Sequence, residues 1–154
     1  MVKKRKASSR RSAGGGGKRV AFEALTVGDL VNKRVQAARL GMKGDRVAAL
    51  LLKGGGVVPV VDKAKQLTGV VSEHDLLSAL DAGQAWSTQT VQDLMTENPY
   101  SVPPETTLST LVHVLTESDL TSVPVVNAGN RLVGVVTRRD VVRAALRPGA
   151  RRQA

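Results

Sequence analysis

The sequence predicts a mixed α/β fold of the α+β type, built from two copies of one β-α-β-β-α unit. Three observations predict it. Residues 58–80, VPVVDKAKQLTGVVSEHDLLSAL, align without gaps on residues 123–145, VPVVNAGNRLVGVVTRRDVVRAA, and ten of the 23 positions are identical. Ordinary composition gives roughly one match in twenty. A second block, Thr26-Val27-Gly28-Asp29-Leu30, matches Thr90-Val91-Gln92-Asp93-Leu94 at an offset of 64, against 65 for the first. Within each copy the apolar pattern then alternates between helical and extended spacing in the same order. Duplicated supersecondary units bury their apolar faces against each other, so function is expected in the unit or in the groove between its copies.

The elements follow in order. A short turn of helix follows the Val-x-Asp-Leu block. Next comes an extended piece, Gln36-Ala37-Ala38 in copy one and Tyr100-Ser101-Val102 in copy two. Pro103-Pro104-Glu105-Thr106-Thr107 opens a helix in copy two, with hydroxyls placed to cap free N–H groups. Leu108, Leu111, Val112 and Leu115 at i, i+3, i+4, i+7 mark its buried face. Copy one has Val47, Leu50 and Leu51 at matching positions but Gly44 in place of Leu108, so its helix is expected to be shorter and less well anchored. β-branched runs at 57–61 and 67–71, and again at 123–126 and 132–136, flank polar connections and read as hairpins. Pro59 and Pro124 suit strand starts or edges, since neither donates to a ladder. Helices over 73–80 and 138–146 close the two units. Trp86, in the link between copies, is read as linker packing.

Charge divides the chain. Residues 1–19 hold eight of the basic residues and no carboxylate, and Arg147, Arg151 and Arg152 lie at the other end. Between residues 20 and 146 there are 12 basic and 13 acidic residues, so the formal +10 belongs to the tails. The organisation is therefore a disordered basic tail at 1–19, a first repeat at 20–84, a second at 85–147, and a basic tail at 148–154. The N-terminal tail suits electrostatic attachment to nucleic acid, or plain solubilisation, and lacks the aromatic residues that stack on bases. One Trp, one Tyr and one Phe leave the core to Val, Leu and Ala. The absence of cysteine excludes disulfides and thiolate chemistry. No apolar run approaches the ~20 residues of a membrane helix, and the basic start is followed by glycines in place of a hydrophobic region, so a cytoplasmic protein is expected.

The candidate chemistry sits in Gly69-Val70-Val71-Ser72-Glu73-His74-Asp75 and Gly134-Val135-Val136-Thr137-Arg138-Arg139-Asp140. Each is a buried strand ending in a hydroxyl residue, with a carboxylate three positions on in a starting helix. One reading is a helix-capping box, which duplication would copy as readily as a site. The other is ligand capture: the helix N-terminus offers N–H groups and a positive dipole end, a hydroxyl bonds phosphate, and a carboxylate accepts ribose hydroxyls. His74 and His113 lie on different helices without acidic partners, which argues against a metal site. No spacing supports a Ser–His–Asp triad, and Gly14–Lys18 departs from a phosphate loop.

Taken together, Val-x-Asp-Leu, Val-Pro-Val-Val and Gly-Val-Val-(Ser/Thr)-x-x-Asp, in that order and twice, resemble a tandem pair of cystathionine β-synthase (CBS) domains, a Bateman module. The resemblance covers residues 26–146. It implies two units packed about a pseudo-twofold axis, a homodimer, and clefts that hold adenosine compounds such as AMP, ADP, ATP or an S-adenosyl ligand. It assigns ribose to Asp75 and Asp140 and phosphate to Ser72 and Thr137. It places the base near Ala37, Ala38, Ser101 and Val102. Some nucleotide-binding relatives carry His or Arg just before Val-Pro, where this chain has Gly56-Val57 and Thr121-Ser122. Cationic help is then expected from Arg138, Arg139 or His74, and the copy-two site is expected to take phosphorylated ligands first. The resulting expectation is a regulatory module without a reaction of its own. The alternatives are a ligand-free dimerisation module and a nucleic-acid binder acting through its tail.

Overall fold

A computed structural model describes residues 22–54 and 56–147, so both predicted tails lie outside the described residues. Copy one supplies α1 (Gly44–Lys53), β1 (Val57–Val61), β2 (Leu67–Ser72) and α2 (Glu73–Asp81). Copy two supplies α3 (Val91–Leu94), β3 (Thr96–Glu97), α4 (Leu108–Glu117), β4 (Ser122–Val126), β5 (Leu132–Thr137) and α5 (Arg138–Leu146). The α+β class and both hairpins form as expected. Their registers correspond, Val57 opposite Ser72 and Ser122 opposite Thr137, each with an irregularity at the fourth pair. Pro59 and Pro124 sit in mid-strand, not at strand starts. The outer edge of β1 is bridged by Ala38, whose N–H donates to the Pro59 carbonyl at 2.8 Å while its own carbonyl accepts from Val61 N–H at 3.0 Å. Val102 does the same for Pro124 and Val126. Neither bridge uses the N–H that proline lacks.

The segment ahead of each hairpin crosses to the other copy. Asn32 exchanges two backbone bonds with Val135 of β5, and β3 pairs with β2 at Gly69 and Val70. Leu25 and Val27 are buried in the core of copy two with Leu108, Leu111 and Val136. Val91 and Leu94 are buried in the core of copy one with Val47, Val60 and Val71. The packed halves are thus interlocked and do not coincide with the sequence repeats. The repeated glycine exists for this crossing: a Cβ on Gly134 would overlap the Asn32 carbonyl, and one on Gly69 would lie 2.9 Å from the Thr96 carbonyl and 2.7 Å from Met95 Sδ. The hairpin tips form a second seam, where Leu67 N–H donates to Asn130 and Leu132 N–H to Lys65.

Two expectations are corrected. The Val-x-Asp-Leu block does not precede a helical turn; it is the turn, at Val27–Asp29 and in α3. In the latter, the Thr90 amide and hydroxyl both donate to the Asp93 carboxylate, at 2.9 and 3.0 Å. Nor is the first helix of copy one the shorter, since α1 and α4 each have ten residues. A Cβ on Gly44 would lie 2.6 Å from the Trp86 carbonyl and 2.8 Å from Leu94 Cδ1. The glycine therefore admits the neighbours that anchor this helix, and Trp86 Nε1 donates to the Leu76 carbonyl at 3.0 Å.

Gly134→Ala is expected to cost about 3 kcal/mol, at the upper end of overpacking losses, because the obstruction is backbone. Gly41→Ala, where a Cβ meets nothing within 4 Å, should stay within about 0.5 kcal/mol of wild type. Chemical denaturation of both variants checks the contrast. The bonds from Thr90, backbone first, hold the Asp93 pKa below the usual 3.8, helped by Lys43 and opposed by burial. A lowered folded pKa contributes stability that is present above 3.8 and lost as pH falls through the folded value. Asp93→Asn should therefore lower Tm at neutral pH, with the difference from wild type closing below pH 3.8. Melting curves across that range decide it.

Candidate functional site

Each candidate motif starts where a β-branched strand ends and a helix begins, at Ser72 before α2 and Thr137 before α5. Both capping boxes form. The Ser72 amide and hydroxyl donate to Asp75 Oδ2 at 2.8 and 2.9 Å, and Asp75 N–H donates back to Ser72 Oγ. The Thr137 amide donates to Asp140 Oδ2 at 2.9 Å, and Asp140 N–H donates to Thr137 Oγ1 at 3.1 Å. A carboxylate has a second oxygen, and here the copies part. Asp75 Oδ1 accepts a hydrogen bond from the Thr96 hydroxyl at 3.0 Å. Asp140 Oδ1 accepts none among the described residues, and its nearest cation is Arg143 Nη1 at 3.8 Å. The difference comes from the exchanged segment: the residue matching Thr96 is Asn32, whose side-chain oxygen accepts instead from Arg34 N–H.

Two clefts lie between the copies, built from matching pieces. Cleft one, of about 850 Å³, has Ser72, Glu73 and His74 on one wall, with Tyr100 and the Ser118–Ser122 connection opposite. Cleft two, of about 380 Å³, sets Thr137, Arg139 and Asp140 against Arg34, Gln36 and Lys53. Both volumes suit small-molecule sites. Their charges are opposed. Cleft two is lined by Arg34, Lys53 and Arg139 with one carboxylate. Among the described residues, the lining of cleft one holds Glu73, Asp119 and His74 and contains no lysine or arginine.

The structure thus brings Thr137, Arg139 and Asp140 together in one cleft and Ser72 with His74 in the other. Asp75 is turned to Thr96. Arg138 departs from the expected position beside a phosphate: its guanidinium donates to the carbonyls of Leu115, Ser118 and Leu120, at 3.0, 2.9 and 2.6 Å. Ala38 and Val102 are buried with their backbone engaged in the bridges to β1 and β4. Neither they nor Ser101 are among the residues lining the two clefts, whose walls are formed two to four residues before Ala38 and Val102, at Arg34 and Gln36 and at Asn98 and Tyr100. Arg34 and Lys53 escaped the sequence reading because they lie far from the motif along the chain. Their signal was the repeat register, which sets Lys53 against Ser118 and Arg34 against Asn98.

Among the described residues no group of three or more His, Asp or Glu could hold a metal ion. No helix among them is long and apolar enough to cross a membrane. The CBS domain family model matches residues 27–82 and 91–147. The chain is 32% identical over 151 residues to the chloroplastic CBS domain-containing protein CBSX2 of Arabidopsis thaliana, covering 79% of this chain and 63% of that one. To the chloroplastic CBSX1 of the same plant it is 34% identical, covering 57% and 49%. The chain therefore spans about half to three-fifths of the length of these curated relatives. Among solved structures, CBSX2 in complex with AMP matches with a TM-score of 0.71 at 32% identity, covering 79% of this chain and 97% of that one. The CBS domain pair of protein MJ0100, in complex with 5′-methylthioadenosine and S-adenosyl-L-methionine, matches with a TM-score of 0.69 at 25% identity, covering 77% and 97%.

Proposed function

The chain belongs to the CBS-domain family, and we propose that it is a regulatory pair that binds an adenosine-containing ligand in the clefts between its copies. One observation carries the reading: cleft two holds a carboxylate with one oxygen committed to a cap and the other accepting no hydrogen bond among the described residues, in a lining that also carries Arg34, Lys53 and Arg139. Asp140 Oδ1 takes the ribose hydroxyls, and Thr137 Oγ1, at the helix N-terminus, takes phosphate. Arg34, Lys53 and Arg139 neutralise the phosphate charge. At an effective dielectric near 20, each cation about 6 Å from the phosphate is worth roughly 3 kcal/mol before screening. Cleft two is accordingly the site for an AMP-like ligand. Cleft one, with Glu73 and Asp119, favours a less anionic compound of the S-adenosyl kind. Binding shifts the packing of the interlocked copies, and a partner reads the shift. No reaction is assigned to the chain. The nucleic-acid alternative rests on residues 1–19, which lie outside the described residues.

The pair also acts as a homodimer in this reading. Leu77 and Leu80 on α2, and Val142 and Leu146 on α5, are 62%, 49%, 59% and 75% exposed. Leu77 and Val142 occupy equivalent places in the repeat. Apolar side chains presented by both terminal helices suit cover by a second copy. Leu77→Asp combined with Val142→Asp should give monomers by light scattering at concentrations where the wild type is dimeric. A monomeric wild type sinks the dimer.

Titration calorimetry with AMP tests the ligand reading. AMP should bind at one site per chain, several-fold more tightly than 2′-deoxy-AMP. Asp140→Asn should weaken binding by ~10-fold or more, a lost charge-assisted bond being worth about 1.5–3 kcal/mol, with Tm shifted by only a few degrees. Asp75→Asn should leave AMP affinity unchanged and lower Tm. Equal affinity for the two sugars would mean that the motif aspartates only cap helices.

A further inference from the structure

We propose that Arg138 is a strut that couples the two clefts, a positioning residue through which a ligand in cleft two sets the wall of cleft one. The proposal rests on the reading of cleft two as a ligand site. Arg138 is the first residue of α5, directly after Thr137 and two before Asp140, and both of those side chains line cleft two. Its own bonds all run the other way. The amide donates to the Thr121 carbonyl at 2.9 Å, and the guanidinium donates to the carbonyls of Leu115, Ser118 and Leu120. α4 ends at Glu117 and the chain turns extended at Ser118, leaving the last carbonyls of the helix without intrahelical donors. A planar fork of N–H groups meets one of them, Leu115, together with the carbonyls of Ser118 and Leu120 just beyond the helix. The connection held in this way, Ser118–Ser122, is the wall of cleft one opposite Ser72.

Two further features make this an adjustable contact. Copy one has Glu73 in the place of Arg138, and a carboxylate donates nothing, so the matching connection after α1 has no such fork. Among the described residues the strut is therefore single. Secondly, the wall ends at Ser122, which is 3% exposed and whose hydroxyl has no hydrogen-bond partner among the described residues. That hydroxyl packs against Gly56, itself at φ +96°. Buried polar groups are almost always paired. The present seat of the wall leaves one unpaired, and a shift of the wall would release it. A rotation of the first turn of α5, brought about by a ligand on Thr137 and Asp140, moves the guanidinium and with it Ser118–Ser122. Coupling between binding sites is reciprocal, so occupancy of cleft one must bias cleft two equally.

Hydrogen–deuterium exchange of the full chain, with AMP as the probe, tests the strut. Peptides covering 31–37, a stretch that holds Asn32, Arg34, Val35 and Gln36 of cleft two and no residue of cleft one, report occupancy of cleft two, and peptides covering 115–123 report the wall of cleft one. In the wild type, saturating AMP should slow exchange at 31–37 and change it at 115–123 by at least threefold. In Arg138→Lys, which keeps the charge but loses the fork, the response at 31–37 should persist and that at 115–123 should vanish, with AMP affinity within twofold of wild type. A role confined to stability would lower Tm but leave the AMP response at 115–123 intact, and that result overturns the proposal. So does a wild type in which AMP protects 31–37 and leaves 115–123 unmoved, a result readable even if the variant does not fold. If AMP does not bind at all, the ligand reading fails separately, and a ligand-free comparison decides the strut. Thr137→Ala, which uncaps α5, should speed exchange at 115–123 in the Arg138 background and add nothing in the Arg138→Lys background. Additive effects there refute the coupling.

Discussion

Everything in this molecule depends on the crossing of two chain segments between the copies. Asn32 pairs with Val135, and Thr96 and Glu97 pair with β2, so each hairpin is completed by backbone from the other repeat. The crossing carries Leu25 and Val27 into one core and Val91 and Leu94 into the other. It also forms the clefts, because the residues just after each crossing become the wall opposite the other copy's motif. Gly69 and Gly134 allow the approach, which is why the glycine is repeated along with the motif it precedes. Neither half can be folded alone without exposing a strand edge and several buried valines and leucines.

The same geometry turns a symmetric duplication into two different sites. At the crossing, copy two contributes Thr96 where copy one contributes Asn32. The threonine hydroxyl reaches Asp75 and occupies its second oxygen; the asparagine folds onto its own chain and leaves Asp140 open. The charges separate in the same sense, with Arg34, Lys53 and Arg139 around one cleft and Glu73 and Asp119 around the other. The sequence pointed to an unequal pair on the strength of Arg138 and Arg139. Arg138 is committed elsewhere, and the cations that replace it come from the crossing segment and from the end of α1.

What was legible in the sequence was local. The hairpins, α2 and α5 follow from residues that are neighbours along the chain, where β-branched runs and helical spacing act directly. The family resemblance was legible too, because a repeated motif order survives where single residues drift. What was not legible was which segment meets which. The 65-residue repeat marks equivalent residues, but a repeat packed against its own N-terminal segment and one packed against its neighbour's have the same sequence pattern. Gly44 shows the cost of reading locally. As a helix residue it counts against α1, yet it is what lets Trp86 and Leu94 close over the helix start. Ala38 and Val102 show the same limit, since their burial depends on bridges to strands about 20 residues away.

The two readings of the Ser/Thr-x-x-Asp motif turn out not to compete. A capping box consumes one carboxylate oxygen and one of the hydroxyl's lone pairs, leaving a second oxygen; the Ser72 hydroxyl also spends its proton on Asp75, while that of Thr137 is not given to Asp140. A cap therefore holds the aspartate rigid at a helix N-terminus, where N–H groups and the helix dipole favour an anion. Rigid presentation of the remaining oxygen is what selective capture of a ribose requires, because no side-chain ordering is then left to oppose binding. Whether a given copy serves as cap alone or as cap and site depends on a third residue, contributed across the crossing. Thr96 fills the second oxygen of Asp75, and Asn32 leaves that of Asp140 without a hydrogen bond among the described residues. In the proposed function, the interlocking that stabilises the fold is thus also what gives the two copies separate roles.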